Sequence, residues 1–350
     1  MAVEFQNLTD VVGHGFDDII DVRSPAEFAE DRIPGALSLP VLSDEERARV
    51  GTIYVQDCPF NARKIGAALV ARNAARHIET VLADRDGGWR PLIYCWRGGQ
   101  RSGSFASILA QIGWRAETVQ GGYQQFRRLV VKALYEGPVS PRLVVLDGYT
   151  GSAKTDVLSC LAGMGVAVID LEGLARHRGS VLGAMPGGQP SQKAFETGIA
   201  MALAGVPEGA PVVVEAESSK VGDRIVPPAV WKAMRAAPRI VIEAPVAARA
   251  EYLARAYSDV TADGDAFGAR LEKLIPYHGH EAVGRWRAML GEGAHAALAA
   301  ELIETHYDAR YAKSRARAER KVLETIEAPV LDKAAVQRIA ADVAAVVRRL

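Results

Sequence analysis

Leu92-Ile93-Tyr94-Cys95-Trp96-Arg97-Gly98-Gly99-Gln100-Arg101-Ser102 joins an apolar run to a cysteine and then to a loop rich in glycine and arginine. This layout places a nucleophilic thiol at the tip of a buried strand. Gly98 and Gly99 let the backbone curl so that several N–H groups point inward, and a helix predicted over residues 102–112 adds its positive N-terminus. Such a cradle stabilises a thiolate, binds an anion and holds the cysteine below its free pKa of about 8.5. Arg97 and Arg101 are spaced to grip the oxygens of an incoming oxyanion, and Ser102 closes the anion loop. A structural cysteine before a turn would need neither the glycine pair nor the two arginines.

Upstream, Ile19-Ile20-Asp21-Val22-Arg23-Ser24-Pro25-Ala26-Glu27-Phe28 predicts a short strand running into a helix, followed by Ile33-Pro34-Gly35-Ala36-Leu37. Downstream lies Val119-Gln120-Gly121-Gly122-Tyr123. These three motifs, in this order, resemble the rhodanese fold over about residues 8–137. The resemblance implies that Cys95 carries sulfur or selenium, while Asp21 and Arg23 anchor the first strand. One feature departs from common sulfurtransferases of that fold, whose loop arginine follows the cysteine by five positions: Arg101 follows Cys95 by six. The wider loop is that of rhodanese-fold phosphatases and admits a ligand the size of phosphate or selenophosphate.

A second constellation starts with the apolar Leu143-Val144-Val145-Leu146 and runs into Gly148-Tyr149-Thr150-Gly151-Ser152-Ala153-Lys154-Thr155. It fits the phosphate-loop pattern G-x-x-x-x-G-K-[ST] with Ala153 in place of the last glycine, between a predicted strand and a predicted helix. The N–H groups of Gly148, Thr150, Gly151 and Ser152 would wrap a diphosphate, Lys154 would bridge its oxygens, and Thr155 could hold Mg²⁺. Pro211-Val212-Val213-Val214-Glu215-Ala216-Glu217 predicts a neighbouring strand that brings Glu215 or Glu217 beside this loop, although an acid facing solvent at a strand end fits the same pattern. Asp170, Arg176 and Arg178, after the apolar Val168-Ile169, are further candidates for the cleft. No metal-ligand spacing of His and Cys occurs.

The thiol domain followed by a P-loop domain carrying Asp170-Leu171-Glu172-Gly173-Leu174-Ala175-Arg176-His177-Arg178-Gly179-Ser180 resembles the bacterial tRNA 2-selenouridine synthase family. Gln189-Pro190-Ser191-Gln192, Phe195-Glu196 and Ile242-Glu243-Ala244-Pro245 add to the match, which runs from about residue 8 to 260. The resemblance implies a tRNA-modifying transferase. Wobble-position 2-thiouridine is first S-geranylated from geranyl diphosphate, and selenium from selenophosphate then replaces the S-geranyl group through a cysteine-bound intermediate, which maps to Cys95. No permanently bound cofactor is implied. The P-loop suits the diphosphate donor because its amides and lysine stabilise a diphosphate leaving group; a nucleotide at that loop stays open. The alternatives are a rhodanese-fold phosphatase, or a sulfurtransferase with a fused P-loop NTPase domain.

The 350 residues, 49% hydrophobic and 24% charged, suit two or three globular cores. The expected architecture is α/β: a rhodanese-like domain over residues 1–138, a P-loop NTPase-like parallel-sheet domain over 139–261, and a helical region over 262–350, with residues 294–303 and 334–350 its clearest helices. The joint is Glu136-Gly137-Pro138-Val139-Ser140-Pro141. Neither a signal peptide nor a membrane span is read. Cys58, Cys95 and Cys160 form no disulfide framework, which with the resemblance points to a reducing cytoplasm. With 42 basic and 42 acidic residues, a tRNA partner needs local basic patches rather than bulk charge. The best is a predicted helix placing Arg310, Lys313, Arg317 and Arg320 or Lys321 along one stripe. Arg63-Lys64 with Arg72 and Arg76 is a second. Each of the two also fits an ordinary solvated helix face.

Overall fold

Pro91–Tyr94 is buried at all four positions, the signature of a strand covered on both faces of a parallel sheet. In the computed structural model, which describes the backbone of residues 2–261, 263–309 and 321–350, it is the middle strand of an all-parallel sheet. With strands numbered along the chain, this sheet contains β1 (Ala2–Val3), β2 (Asp18–Asp21), β3 (Leu37–Ser38), β4 (Pro91–Tyr94) and β5 (Glu117–Val119), in the order β1-β5-β4-β2-β3. Ile20, Ile93, Phe105, Leu109 and Trp114 are among the residues of its core.

The chain divides into two compact units, residues 1–137 with 190–205, and residues 138–189 with 206–350. The helix Gln192–Ala204, which the sequence boundaries placed in the P-loop domain, is thus part of the first unit. Its apolar stripe explains why: Phe195, Ile199, Ala200 and Leu203 are buried. Its polar side is also engaged, since Glu196 pairs with Arg127 and accepts from Tyr135, and Thr197 donates to Asp31 at 2.8 Å.

The second unit is built on β6 (Leu143–Gly148), whose six residues are all buried. With β7 (Val168–Ile169), β8 (Val212–Glu215), β11 (Arg239–Glu243) and β12 (Val322–Glu327) it forms a parallel sheet of order β12-β11-β6-β8-β7; β9 (Lys220–Val221) and β10 (Arg224–Ile225) pair as a separate antiparallel hairpin. The chain lays β7 and β8 on one side of β6, then β11 and β12 on the other. The carboxyl end of β6 is therefore the switch point where such sheets bind ligands.

The segment 262–350 is mostly helical, yet it also supplies β12 and so completes the P-loop sheet. Only Ile326 of that strand is fully buried, so an edge strand of this kind has almost no apolar pattern to read. The last helix, Lys333–Val347, buries Val336, Ile339, Val343 and Val347 in the same core as Val157, Leu158 and Leu161 of the helix that follows the phosphate loop.

Candidate functional site

Cys95 lies at the carboxyl end of β4, 4% exposed. Its Sγ accepts hydrogen bonds from the Gly99 N–H at 3.3 Å and the Ser102 hydroxyl at 3.2 Å. Burial pushes the thiol up, but the Ser102 hydroxyl and N–H, the Gly99 N–H and the Arg101 charge outweigh it and hold the pKa below its ordinary value. The helix Gln100–Ile112 begins immediately after this loop, so its positive end works in the same direction. Arg101 itself is held by Glu27 at 2.9 Å, and Arg47 approaches the same carboxylate at 3.3 Å. Arg97 is exposed on the loop.

The loop is shaped by backbone packing against the turn after β5. A Cβ on Gly98, at φ +65°, would sit 2.6 Å from the Val119 carbonyl oxygen, and one on Gly122, at φ +56°, would collide with the Cys95 carbonyl. The Tyr123 and Gln124 N–H groups donate to the carbonyls of Cys95 and Trp96, each at 2.9 Å. Sequence reasoning singled out the Gly121-Gly122 pair as a motif; its role is to let a second loop brace the first. Asp21 and Arg23 are fully buried and bonded at 2.6 Å, with Arg23 stacked 4.0 Å from the centre of the Tyr123 ring. They brace the strand ends rather than face the thiol.

In the second unit the chain turns from β6 into the helix Lys154–Gly163 through Gly148 to Ala153. Gly151 and Ala153 both adopt left-handed backbone, at φ +85° and +59°. The expected glycine position is thus one where alanine carries a steric cost of about 1–2 kcal/mol. Lys154 Nζ arches back to the carbonyls of Gly148 and Tyr149, at 2.9 and 3.4 Å, and Thr155 donates to Glu172 at 3.1 Å. The buried Ser152 hydroxyl has no hydrogen-bond partner among the described residues. Sequence reasoning missed Arg249, which pins the loop: it donates to the Thr150 carbonyl at 3.2 Å and forks onto Asp308 at 2.9 and 2.7 Å.

A cleft of about 490 Å³ opens over this loop, lined by Thr150 to Asp156, Glu172, Arg178, Glu217, Tyr252, Tyr257 and others. Of the acids and bases nominated from sequence, Arg178 and Glu217 line it. Glu215, Asp170 and Arg176 do not. Glu215 lies beneath, 1% exposed, accepting from the Glu172 N–H at 2.7 Å; Asp170 caps the helix Leu171–Ala175, and Arg176 ends it, exposed. Among the described residues no group of three His, Cys, Asp or Glu is placed to hold a metal. Arg310, Lys313, Arg317 and Arg320 lie outside the described residues, whereas Arg63, Lys64, Arg72 and Arg76 are all exposed on the helix Pro59–Glu79, with Arg63 and Arg72 on opposite sides of it.

Comparison with known proteins matches both parts of the chain. The family model for the tRNA 2-selenouridine synthase AAA domain matches residues 141–271, and that for the rhodanese-like domain matches residues 4–129. A tRNA 2-selenouridine synthase of Hahella chejuensis (strain KCTC 2396) is 37% identical over 68% of this chain, but only 63% of that relative is spanned. The solved N-terminal domain of a putative ATP/GTP binding protein from Clostridium difficile 630 overlaps with a TM-score of 0.32 and 29% identity, over 37% of this chain and 99% of that one; an overlap that small carries no argument. The tRNA 2-selenouridine synthase of Cupriavidus pinatubonensis (strain JMP 134 / LMG 1197) is 33% identical over 90% of this chain and 93% of its own length. The chain belongs to the tRNA 2-selenouridine synthase family.

Near the phosphate loop of this family member, three carboxyls are all shifted upward. Burial first, then Glu172, raises Glu217 to about 8, and burial with the neighbouring Glu172, Asp170 and Glu217 pushes Glu215 well up. Glu172 is also raised by burial, against the opposing pull of Lys154. Glu217, which lines the cleft, can in its protonated form donate a hydrogen bond into it. Glu172 went unnominated in the sequence because nothing in Asp-Leu-Glu-Gly shows which acid turns toward Thr155.

Proposed function

We propose that this chain is a tRNA-modifying transferase that replaces sulfur by selenium in wobble-position 2-thiouridine, in two steps served by its two sites. The observation that carries the reading is the presence, in one member of this family, of a thiol cradled by the Gly99 N–H and the Ser102 hydroxyl and of a phosphate loop whose Lys154 arches over it. At the phosphate loop the donor is geranyl diphosphate. The thiouridine sulfur attacks the first carbon of the geranyl group, the carbon–oxygen bond breaks, and its electron pair leaves on the diphosphate. Lys154 and the loop N–H groups stabilise that departing charge. Thr155 would hold a Mg²⁺, which would add Lewis-acid neutralisation of the leaving group. The selenium of selenophosphate then adds to the carbon that bears the S-geranyl group, the carbon–sulfur bond breaks and geranylthiol leaves, while the Cys95 thiolate takes the phosphoryl group from selenium and water releases it as phosphate. Among the described residues no helix is long and apolar enough to cross a membrane, and a reduced Cys95 suits the cytoplasm.

Single substitutions separate the steps. Cys95→Ala abolishes selenation and leaves geranylation of the thiouridine intact, whereas Lys154→Ala lowers geranylation by a factor of about 10²–10³, the cost of removing one electrostatic stabiliser. Equal loss of both steps in Cys95→Ala would contradict the division of labour. A rhodanese-fold phosphatase is the second reading, favoured by the six-position spacing of Cys95 and Arg101. It predicts phosphate release from aryl phosphates and leaves the phosphate loop without a task.

A further inference from the structure

A second, narrower recess opens off the phosphate-loop cleft in the same unit. Thr150, Leu253, Tyr257 and Tyr307 line both, so they form the junction. Beyond the junction the recess is walled by Leu182, Phe267, Leu298, Ala299 and Leu302, with His295 at its edge. Phe267, Leu298, Ala299 and Leu302 are each under 10% exposed and belong to two apolar clusters that meet along the helix His295–Leu302. The recess measures about 50 Å³, room for on the order of four waters, or for one five-carbon branched unit in their place.

Two observations fix the kind of ligand that suits this shape. The recess is continuous with a cradle built for a diphosphate, so whatever enters it is tethered to a phosphate headgroup at Thr150. Beyond the junction its walls are mainly apolar, with Thr261 and His295 the polar side chains, so a chain that fills it is mainly hydrocarbon. The junction is aromatic: Tyr257 and Tyr307 line both spaces, and the Arg178 guanidinium lies 4.6 Å from the centre of the Tyr257 ring.

We infer that this recess receives the terminal isoprene unit of an allylic diphosphate and thereby sets the length of chain that is transferred. This rests on the reading of geranyl diphosphate at the phosphate loop. The first isoprene unit lies at the junction, the second fills the recess, and a third has nowhere to go. A five-carbon donor leaves the recess unfilled, and a fifteen-carbon donor overruns it. Ala299 and Leu302 on the helix His295–Leu302 set its depth.

The test measures dissociation constants of inorganic diphosphate and of dimethylallyl, geranyl and farnesyl diphosphates on the full chain, for wild type, Ala299→Phe and Leu302→Ala. Wild type should bind geranyl diphosphate at least about tenfold more tightly than the dimethylallyl compound. Ala299→Phe should erase that difference while leaving inorganic diphosphate unchanged, and Leu302→Ala should raise farnesyl relative to geranyl by about tenfold. The inference is overturned if wild type binds the five- and ten-carbon donors equally while inorganic diphosphate still binds. That result needs no folded variant, and it leaves the diphosphate site standing. Failure of inorganic diphosphate and all three prenyl donors to bind, with ATP binding instead, removes the underlying reading and the recess with it.

Discussion

At the scale of single residues, Ser102 governs the reactivity of Cys95. Its hydroxyl is one of the donors that holds the thiol low against the opposing effect of burial. A hydrogen bond to a charged acceptor contributes about 1.5–3 kcal/mol, or roughly one to two pKa units. Ser102→Ala should therefore shift the pH midpoint of Cys95 alkylation by iodoacetamide upward by about one unit, without removing the reaction at high pH. An unchanged midpoint would mean that the backbone N–H groups and the helix end act alone. The thiol, its glycines and Ser102 were all legible in the sequence because chemistry and backbone shape select the same few residue types. Arg101 was legible as a neighbour of the thiol but its partner was not, since Glu27 is 74 positions away and only the fold brings the two together.

At the scale of elements, two buried charged groupings make opposite predictions. Asp21 at the end of β2 is the ion-pair partner of the fully buried Arg23. Asp21→Asn strands that guanidinium and should cost about 3–5 kcal/mol, read as a lower urea midpoint at unchanged slope. Glu217, just beyond β8, behaves differently. It stays protonated in the folded chain up to about 8, while the unfolded chain releases that proton near the ordinary glutamate value. Between those limits the folded state binds the extra proton, so stability falls as pH rises. Glu217→Gln removes this slope. The variant should match wild type near pH 4 and gain on it progressively toward pH 8; a difference independent of pH would contradict the protonated carboxyl. The strands carrying both groups could be read from their apolar runs. The helix Gln192–Ala204 could be read as a helix, but its membership of the first unit depends on Phe195 and Glu196 finding partners far away in sequence.

At the scale of the whole molecule, the order of parts was legible because each part ends in a loop with its own backbone demands: left-handed Gly98 in one, left-handed Gly151 and Ala153 in the other. The closure of the second sheet was not, because β12 is an edge strand with one buried side chain, and its parallel pairing with β11 spans about eighty residues. That closure has a cost when removed. Deleting residues 329–350 takes away a helix with eight buried positions, five of them Val or Ile. At roughly 1.5 kcal/mol or more for each of those five, the loss rivals the 5–15 kcal/mol that holds a domain together. Amide protection along β6 and β8 should collapse in the truncated chain. Retained protection would show that the phosphate-loop sheet stands without its C-terminal cover.

The most direct measurement is mass spectrometry of nucleosides from 2-thiouridine-containing tRNA incubated with the full chain, omitting geranyl diphosphate and selenophosphate in turn. With both donors present the sulfur should be exchanged for selenium. With selenophosphate omitted the product should stop at geranylated thiouridine, and with geranyl diphosphate omitted the nucleoside should stay unchanged. Unaltered tRNA under every condition, with phosphate released from an aryl phosphate instead, would contradict the two-site transferase and favour the phosphatase.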